Sequence, residues 1–511
     1  MKTTIALALL TTVVGCGNPR HSTPSPTRTT AKGDVPQGEI VTDKVKEMNS
    51  DKYGKPPVKF RPGATTKIES PKSTKTATGF QVAFASAAQI TTPTVYDHKV
   101  IVSGGFRSNQ LFAYETQTGK SVWALDLHDD GPSSPACERN VCVVNTESCT
   151  IFAIAADSGK LLWSYWLGDP LTSAPTIAGN RVFAAYPAAN SEGDKPRPPG
   201  ATHALAAFDL STGKILWQLW LDGDVMSAPV AMGEFVYVST FGGTTIKIEQ
   251  ATGTVRYAMK AKATSAPVVQ FDSDGVEQMY YTSGEYWKDE LGAYRKQESV
   301  IRADHNEPQT KYKTATKKAD YIDATVQGST VQAKTAKEDD AANGFSGGAP
   351  ASAAADFAAE SVGVASVQSM QSFQGSRVLR FADKSVNTMG DEVIATDADS
   401  GKTLWSYKLA GDVKTQGGFL GTAPLAAGNT VLVGTLEGTV VQLDPGSGKR
   451  KAEFKVGSPI RSQPVVDQGW IYVGTSDGKL VAIDTKDKSV HGWPTWGGNA
   501  QRTGIAPNLK P

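Results

Sequence analysis

The eleven residues AFDLSTGKILW, at positions 207–217, decide the fold because close copies of this string recur along the chain. The other clear copies are AYETQTGKSVW at 113–123, AIAADSGKLLW at 153–163 and ATDADSGKTLW at 395–405. All four begin with alanine, carry glycine six residues later and end in tryptophan, and two have aspartate at the third position. The shared positions are Ala113, Gly119, Trp123, Ala153, Gly159, Trp163, Ala207, Asp209, Gly213, Trp217, Ala395, Asp397, Gly401 and Trp405. Such a series indicates a fold built from equivalent units.

Four degenerate copies extend the series, and they begin at Lys247, Arg302, Gln442 and Ala482. Across all eight starting positions, successive copies are separated by 40, 54, 40, 55, 93, 47 and 40 residues. A base period of 40 residues, lengthened by insertions, is typical of a propeller blade of four short strands. Because the count of eight includes two weak units, a seven-bladed ring is the alternative.

Each shared residue has a mechanical role in such a unit. The aspartate and glycine predict a hairpin turn between the third and fourth strands, where glycine tolerates a positive φ. The tryptophan falls on the outer strand, where its flat ring can cover the neighbouring blade, and the alanine opposite leaves room for it. A propeller is favoured over a β-sandwich because every unit repeats the same turn and the same tryptophan position at one period. We therefore predict an all-β, eight-bladed β-propeller over residues 80–504, followed by a tail at 505–511.

The pattern Ala-x-Asp-x-x-x-Gly-x-x-x-Trp resembles the tryptophan-docking motif of PQQ-like propeller repeats. That superfamily contains quinoprotein alcohol dehydrogenases and the BamB lipoproteins of outer-membrane protein assembly. Residues 493–504, WPTWGGNAQRTG, are similar to a segment common in PQQ-like repeat proteins. The resemblance runs from about residue 87 to residue 504 and implies the propeller fold. It implies less about function, because the motif is structural.

The N-terminus has the pattern of a targeting segment. Lys2 is followed by a short apolar run that ends VVGC at residues 13–16, and this ending resembles the lipobox read by lipoprotein signal peptidase. We expect a signal peptide over residues 1–15 and lipidation of Cys16, with Gly17 favouring the outer membrane. An ordinary secretory signal with a chance cysteine is the alternative. The predicted location is the cell envelope, with the propeller anchored to the outer membrane and facing the periplasm.

Three further cysteines follow, and export would permit them to form disulfides. Cys137 and Cys142 flank Arg139 and Asn140, and a two-residue turn there would place the two cysteines opposite each other on paired strands. We therefore expect a disulfide between Cys137 and Cys142. Cys149 is then left over, at a turn.

Three segments lie outside the repeat pattern. Residues 16–79 are rich in Pro, Ser, Thr and Lys, and they predict a flexible, disordered tether between lipid and propeller. Residues 80–84, FQVAF, alternate like a strand and can supply the outer strand that closes the ring onto the last blade. The insertion at about 314–374 has low complexity, and we expect mostly disorder with a short helix near 351–360.

No motif in the sequence predicts catalysis. The six histidines are scattered without metal-site spacing, and there is neither a Walker loop nor a nucleophile elbow. The adjacent cysteine pair typical of quinoprotein dehydrogenases is missing, and turn hydrogen bonding explains the acidic motif residues. We therefore expect no enzyme activity and no cofactor. The alternative is a dehydrogenase that uses PQQ and calcium, or a binder of small ligands in the central channel.

Composition and aromatic placement bear on the partners. The balance of 52 Lys and Arg against 51 Asp and Glu gives no support for nucleic-acid binding. Trp166 and Trp220 each follow a motif tryptophan by three residues, and they indicate either packing on the blade edge or an exposed surface for a partner. The expected function is a membrane-anchored scaffold that binds proteins of the envelope, and the resemblance extends this to BamB-like support of outer-membrane protein assembly.

Overall fold

The computed structural model describes residues 39–507 apart from several gaps, and these residues belong to one compact unit, Asp34–Pro511. The gaps fall at 61–63, 107, 147–149, 168–172, 189, 262, 272–273, 289–293, 305–306, 320–376, 413–415 and 417–418. The predicted signal peptide, Cys16, Cys149 and the predicted helix near 351–360 therefore lie outside the described residues. In the described part of the chain, no helix is long and apolar enough to cross a membrane.

Eight antiparallel sheets follow one another along the chain, and we number them blades 1 to 8. The first strands of most neighbouring blades contact one another, which places these strands around the central axis. The strands of blades 1 to 4 are, in order, Thr94–Tyr96, Lys99–Ser103, Gln110–Glu115 and Ser121–Asp126; Ala136–Glu138, Val141–Asn145, Thr150–Ala155 and Leu161–Trp166; Thr176–Ala178, Arg181–Pro187, His203–Asp209 and Ile215–Leu221; Val230–Met232, Phe235–Ser239, Thr244–Glu249 and Val255–Lys260.

The second half of the ring repeats the same arrangement. The strands of blades 5 to 7 are Val268–Phe271, Glu277–Lys288, Tyr294–Asp304 and Glu307–Ala319; Leu379–Phe381, Lys384–Met389, Glu392–Asp397 and Thr403–Lys408; Leu425–Ala427, Thr430–Gly434, Thr439–Leu443 and Arg450–Lys455. Blade 8 consists of Val465–Asp467, Trp470–Gly474, Lys479–Asp484 and, as its fourth strand, Gly79–Ala83. The prediction of an eight-bladed, all-β propeller is confirmed, and the seven-bladed alternative is wrong.

The fourth strand of blade 8 closes the ring. Gly79–Ala83 pairs with Lys479–Asp484, which brings Phe80 opposite Ala482. The prediction that residues 80–84 supply this outer strand is confirmed. Because the two ends of the repeat region share one sheet, the ring opens only if the backbone hydrogen bonds of that sheet break.

Residues 39–84, which we call the N-terminal arm, follow the outer edges of five successive blades. Val41 N donates to the carbonyl oxygen of Ala258 in blade 4 at 2.8 Å, and Trp220 N in blade 3 donates to Asn49 Oδ1 at 2.6 Å. Before its last strand, Gly79–Ala83 of blade 8, the arm contains the helix Thr42–Met48 and three short strands, Lys59–Phe60, Thr66–Lys67 and Thr74–Lys75. These short strands pair with the outermost strands of blades 2, 1 and 8.

For residues 39–79 the structure corrects the predicted flexible tether of residues 16–79. The outer strand of a blade leaves backbone N–H and C=O groups unpaired, and the short strands of the arm satisfy some of these groups on blades 1, 2 and 8. Val41 and Val45 add apolar burial near the start of the arm, since they are 3% and 7% exposed. The other residues of the predicted tether, 16–38 and 61–63, lie outside the described part of the chain.

The hydrophobic core lies between the blades. In blade 2, for example, the strands Val141–Asn145 and Thr150–Ala155 are buried at every position. One face of this sheet contributes to a cluster with blade 1, and the other face contributes to a cluster with blade 3. Strands with both faces covered need apolar residues in succession, which explains the short runs of Val, Ile, Phe and Ala.

The predicted disulfide between Cys137 and Cys142 is present. The two cysteines lie opposite each other on the first two strands of blade 2. The turn between them has positive φ values at Arg139 (51°) and Asn140 (61°), as a type I′ hairpin requires. The two-residue turn therefore sets the register that brings the sulfur atoms together.

The fourth strand of blade 5 changes one boundary of the predicted insertion. This strand runs to Ala319, so residues 314–319 are part of the blade and differ from the expected disorder. The other residues of the predicted insertion, 320–374, lie outside the described part of the chain. The insertion therefore follows the outer strand of blade 5 in sequence.

Candidate functional site

Four motif tryptophans each join one blade to the next. The indole of Trp123 lies over Gly159, where an added Cβ would be 3.0 Å from the ring and where φ is +71°. The Trp123 Nε1 donates to the carbonyl oxygen of Ala156 at 2.9 Å. Trp163, Trp217 and Trp405 repeat both contacts at 2.9 Å hydrogen-bond distances, with Gly213, Gly253 and Gly448 under the rings and the carbonyl oxygens of Leu210, Gln250 and Pro445 as acceptors. The motif therefore holds the ring together.

The acidic motif residues accept hydrogen bonds within their own turns, as the sequence predicted. Oδ1 of Asp209 accepts from the backbone N of Ser211 (3.1 Å) and of Thr212 (2.9 Å), and from both hydroxyl groups. The bond from the Ser211 hydroxyl, followed by the bond from Thr212 N, holds the pKa of Asp209 below its ordinary value. Asp397 makes equivalent bonds in its turn. These carboxylates act as turn acceptors and give no support for a ligand site.

Phe80 takes the place of the docking tryptophan at the closing interface, between blades 8 and 1. It lies opposite Ala482 in the sheet, as Trp123 lies opposite Ala113. Its ring covers Gly119, where an added Cβ would be 2.6 Å from Phe80 Cδ2. This role of Phe80 was not predicted from the sequence, although the strand pattern at residues 80–84 and the alanine at 482 together indicate it.

Two other interfaces use charged side chains. Between blades 4 and 5, Lys247 stands at the alanine position and forms a buried ion pair with Glu277, whose Oε2 also accepts from the Tyr237 hydroxyl at 2.6 Å. Between blades 5 and 6, the Arg302 guanidinium forms an ion pair with Asp399 at 2.9 Å. Both ion pairs therefore join neighbouring blades.

The interface between blades 7 and 8 has alanine at the position of the docking tryptophan. Ala452 stands opposite Gln442 in the sheet, at the position that Trp405 occupies opposite Ala395 in blade 6. A cavity of about 470 Å³, which we call the blade 7–8 cavity, is lined by residues of blade 7 and of the segment that follows the third strand of blade 8. The lining residues are Gly428, Asn429, Thr430, Gln442, Lys451, Asp487, Ser489 and His491. This volume falls within the range of about 300–1,000 Å³ that is usual for small-ligand pockets.

The central axis is occupied in part by the chain itself. Residues 493–506, which we call the axial segment, accept or donate backbone hydrogen bonds to the first strands of five blades. Val95 N donates to the carbonyl oxygen of Pro494 at 2.6 Å, and Ile177 N donates to that of Ala500 at 3.0 Å. The other three contacts are made by Ala231, Arg380 and Val466. This backbone network explains why the WPTWGGNAQRTG segment accompanies the repeats.

Arg502 anchors the axial segment. Its side chain is fully buried, and its guanidinium donates to the carbonyl oxygens of Ser134 (3.1 Å), Pro135 (3.0 Å) and Pro175 (3.2 Å). Burial away from water lowers the pKa of Arg502 to about 9. The proline-headed strand starts of blades 2 and 3 therefore present carbonyl oxygens that hold this cation on the axis.

Two further tryptophans that the sequence singled out, Trp166 and Trp220, lie against the N-terminal arm. Trp220 is buried under the arm and its Nε1 donates to the Gly54 carbonyl oxygen at 2.8 Å, so the packing interpretation is confirmed for this residue. Trp166 is half-buried and lies opposite Lys59 of the arm. Among the described residues, no group of three or more His, Cys, Asp and Glu side chains is placed to hold a metal ion.

Comparisons with known proteins match the same repeats. The family model described as outer membrane protein assembly factor BamB matches residues 107–192, 199–319 and 387–502, which is more than half of the chain. Lupanine 17-hydroxylase of a Pseudomonas species is 28% identical over 144 residues, which are 24% of this chain and 20% of that protein. Outer membrane protein assembly factor BamB of Nitrosomonas eutropha is 24% identical over 162 residues, which are 31% and 35%.

The chain therefore spans between a fifth and about a third of the length of these two curated relatives. Among solved structures, BamB from Moraxella catarrhalis superposes with a TM-score of 0.48 and 15% identity, and the alignment covers 82% of this chain and 97% of that one. The two curated relatives carry names of different kinds, an assembly factor and a hydroxylase.

Proposed function

The chain belongs to the family described as outer membrane protein assembly factor BamB, and we propose that it is a lipid-anchored scaffold that binds proteins in the bacterial envelope. The finer role that we propose is support of outer-membrane protein assembly, from a position on the outer membrane facing the periplasm. The observation that carries the proposal is the extent of the family match, which reaches all eight blades and most of the axial segment.

The construction of the ring supports a scaffold. Indole docking joins successive blades, whereas the N-terminal arm and the axial segment connect blades that are far apart in sequence. A ring fixed in this way presents its loops and edges in a constant arrangement, which lowers the entropy cost of binding a partner. Cys16 would hold that ring near the membrane through its lipid.

A quinoprotein-type dehydrogenase is the second candidate, because of the match to lupanine 17-hydroxylase. The described residues do not fit PQQ and calcium, since no cluster of acidic or histidine side chains offers a metal ligand set. We therefore derive no catalytic step for this chain.

Site-specific crosslinking in the native host tests the scaffold proposal. A photoreactive amino acid is placed, one position at a time, at the exposed apolar residues that precede the motif tryptophans on blades 1, 2, 3 and 6: Val122, Leu162, Leu216 and Leu404. The crosslinked partners are then identified by mass spectrometry. The matched control is Cys16→Ser, which removes the lipidation site and leaves the propeller unchanged.

We expect at least one position to capture a component of the outer-membrane barrel-assembly machinery, with weaker capture in the Cys16→Ser protein. If the folded, lipidated protein captures no such component from any of the four positions, the assembly role is wrong. Capture of only unrelated envelope proteins would support the scaffold proposal and contradict the assembly role. Tight copurification of a quinone would favour the dehydrogenase instead.

A further inference from the structure

The N-terminal arm leaves the outer strands of three blades uncovered. It hydrogen-bonds to the outermost strands of blades 4, 3, 2, 1 and 8, one blade after another. In the part of the chain that the structure describes, no further strand pairs with the outer strand of blade 5, 6 or 7. We call the outer strand of blade 7, Arg450–Lys455, the blade 7 edge. An open strand edge is a place where an extended segment of another protein can add a strand.

The contacts of the arm identify which backbone groups of an outer strand face away from the blade. On blade 4, the arm residue Val41 donates from its backbone N to the carbonyl oxygen of Ala258 at 2.8 Å. Two residues later, Lys260 N donates to a carbonyl oxygen of the arm at 2.8 Å. Glu453 and Lys455 occupy the equivalent places on blade 7, because both outer strands have the same register against the third strand of their blade. The N–H and C=O groups of Glu453 and Lys455 therefore face outward, and no described residue bonds to them.

Where the arm covers a charged edge, it brings a residue of opposite charge. Of the five covered outer strands, those of blades 1 and 4 contain charged residues and the other three contain none. On blade 1, the arm strand brings Lys67 to the strand that ends in Asp126. On blade 4, the arm brings Glu39 to Lys260. The hydrogen bond and charge of Lys44, followed by the charge of Lys260, hold the pKa of the Glu39 carboxyl below its ordinary value.

The blade 7 edge is basic, and nothing described covers it. Its sequence, RKAEFK, contains Arg450, Lys451 and Lys455 against a single acidic residue, Glu453, and all four side chains are exposed. The ion pair between Arg450 and Glu453 leaves the charges of the two lysines in excess. By the pattern of blades 1 and 4, the complementary segment is acidic. Residues 17–38 of the chain itself do not fit this requirement, because they contain three Lys or Arg and one Asp.

We propose that the blade 7 edge binds an extended acidic segment of a partner protein, which adds a fifth strand to the sheet of blade 7. The backbone groups of Glu453 and Lys455 pair with the added strand, and the excess lysine charge attracts its carboxylates. This inference rests on the proposed function in one respect only, namely that the chain binds proteins. It adds the location, the backbone geometry and the charge of one contact.

The first experiment measures the binding of two short peptide probes to the full chain by fluorescence anisotropy. One probe alternates valine with glutamate and the other alternates valine with lysine, and both carry the label at the N-terminus and an amide at the C-terminus. We expect the acidic probe to bind at least about tenfold more tightly than the basic probe at low ionic strength, with a smaller difference when salt is added. Equal binding of the two probes would overturn the acidic partner.

Glu453→Pro tests the addition of a strand. Proline removes the N–H that faces the partner and leaves the hydrogen bonds inside blade 7 in place. It also removes the acidic side chain of the edge, so an effect of charge alone would strengthen the binding of the acidic probe. We expect the acidic probe to bind at least about tenfold more weakly. The matched control is Ser406→Pro, at the equivalent place on blade 6, which should leave the binding unchanged.

Circular dichroism establishes that both proline variants are folded. Unchanged affinity of a folded Glu453→Pro chain for the acidic probe would overturn the strand addition. If Glu453→Pro does not fold, the double variant Lys451→Glu, Lys455→Glu tests the same edge through its charge. We expect that variant to bind the acidic probe at least about tenfold more weakly, and equal affinity would contradict the proposal.

Hydrogen exchange of the backbone amides locates the bound probe. We expect the acidic probe to slow the exchange of Glu453 and Lys455 and to leave Ser406 unchanged. Slow exchange before any probe is added would overturn the proposal, because the edge would already be occupied. Dependence of that protection on protein concentration would then identify a second copy, and independence would identify residues 17–38 of the same chain. If neither binding nor protection is seen, the lysines only keep an open edge apart from other chains, and the proposal is wrong.

A photoreactive amino acid at Lys449, directly before the blade 7 edge, tests the inference in the cell. We expect it to capture a partner through a segment rich in Asp and Glu, mapped by mass spectrometry, and we expect Glu453→Pro to abolish this capture while capture at Leu162 is retained. Capture at Leu162 without capture at Lys449 would overturn this inference and leave the scaffold proposal supported. Absence of capture at both positions would contradict both proposals, so the two failures are distinguishable.

Discussion

Replacement of Phe80 by alanine tests whether one aromatic ring closes the propeller. The Phe80 side chain is 2% exposed, and it contacts Gly119 of blade 1 and the ring of Trp470 in its own blade, with centroids 6.2 Å apart. Truncation of a buried phenylalanine to alanine costs about 3–5 kcal/mol, because it combines lost burial with a residual cavity. We therefore expect Phe80→Ala to lower the free energy of unfolding by about 3–5 kcal/mol.

The measurement is equilibrium unfolding of the mature chain in urea, followed by circular dichroism. Limited trypsin digestion adds a local readout, since cleavage after Lys75 should accelerate when the strand Gly79–Ala83 detaches from blade 8. Phe80→Trp is the matched control, and it should remain close to the natural stability because indole rings cover the equivalent glycines elsewhere. A loss below about 1 kcal/mol for Phe80→Ala, or unchanged cleavage after Lys75, would refute the closing role.

Three further predictions concern single interactions. Lys247→Met leaves Glu277 buried without its cation and should cost about 3–5 kcal/mol in urea unfolding, whereas adding Glu277→Gln should restore much of it; no recovery would contradict the ion pair. Reduction of the Cys137–Cys142 bond should cost about 2 kcal/mol by calorimetry, because the closed loop is short; an unchanged melting temperature would contradict this. Burial lowers the pKa of His203, so stability is complete above about pH 6.5 and falls as pH decreases from there towards the folded-state pKa; His203→Gln should flatten that decline, and equal slopes would show that other groups cause it.

The sequence predicted the blades better than it predicted what surrounds them. A 40-residue period reports the blade directly, because each unit needs the same turn and the same docking ring. The arm was harder to predict, since residues 39–79 have the composition of a tether. Their strands are held by backbone hydrogen bonds to blade edges, and side-chain composition carries little information about such bonds.

The site residues also divide into those that local sequence predicts and those that depend on contacts between distant segments. The turn role of Asp209 and the disulfide between Cys137 and Cys142 follow from local spacing, and both were predictable. The docking role of Phe80 depends on Ala482, near the opposite end of the chain, so no local pattern contains both partners. The blade 7–8 cavity is lined by residues between Gly428 and His491 that are far apart in sequence, so no local pattern predicts it.

Closure of the ring by Gly79–Ala83 also imposes a delay during biosynthesis, between the synthesis of this strand and that of its partner. The strand that pairs with it, Lys479–Asp484, is made about 400 residues later, so at roughly 5–20 residues per second the early strand waits on the order of 20–80 s for its partner. During that interval the segment is an unpaired strand with apolar residues, which is prone to aggregation. A cell that exports this chain must therefore keep its first propeller strand apart from other chains until its last blade arrives.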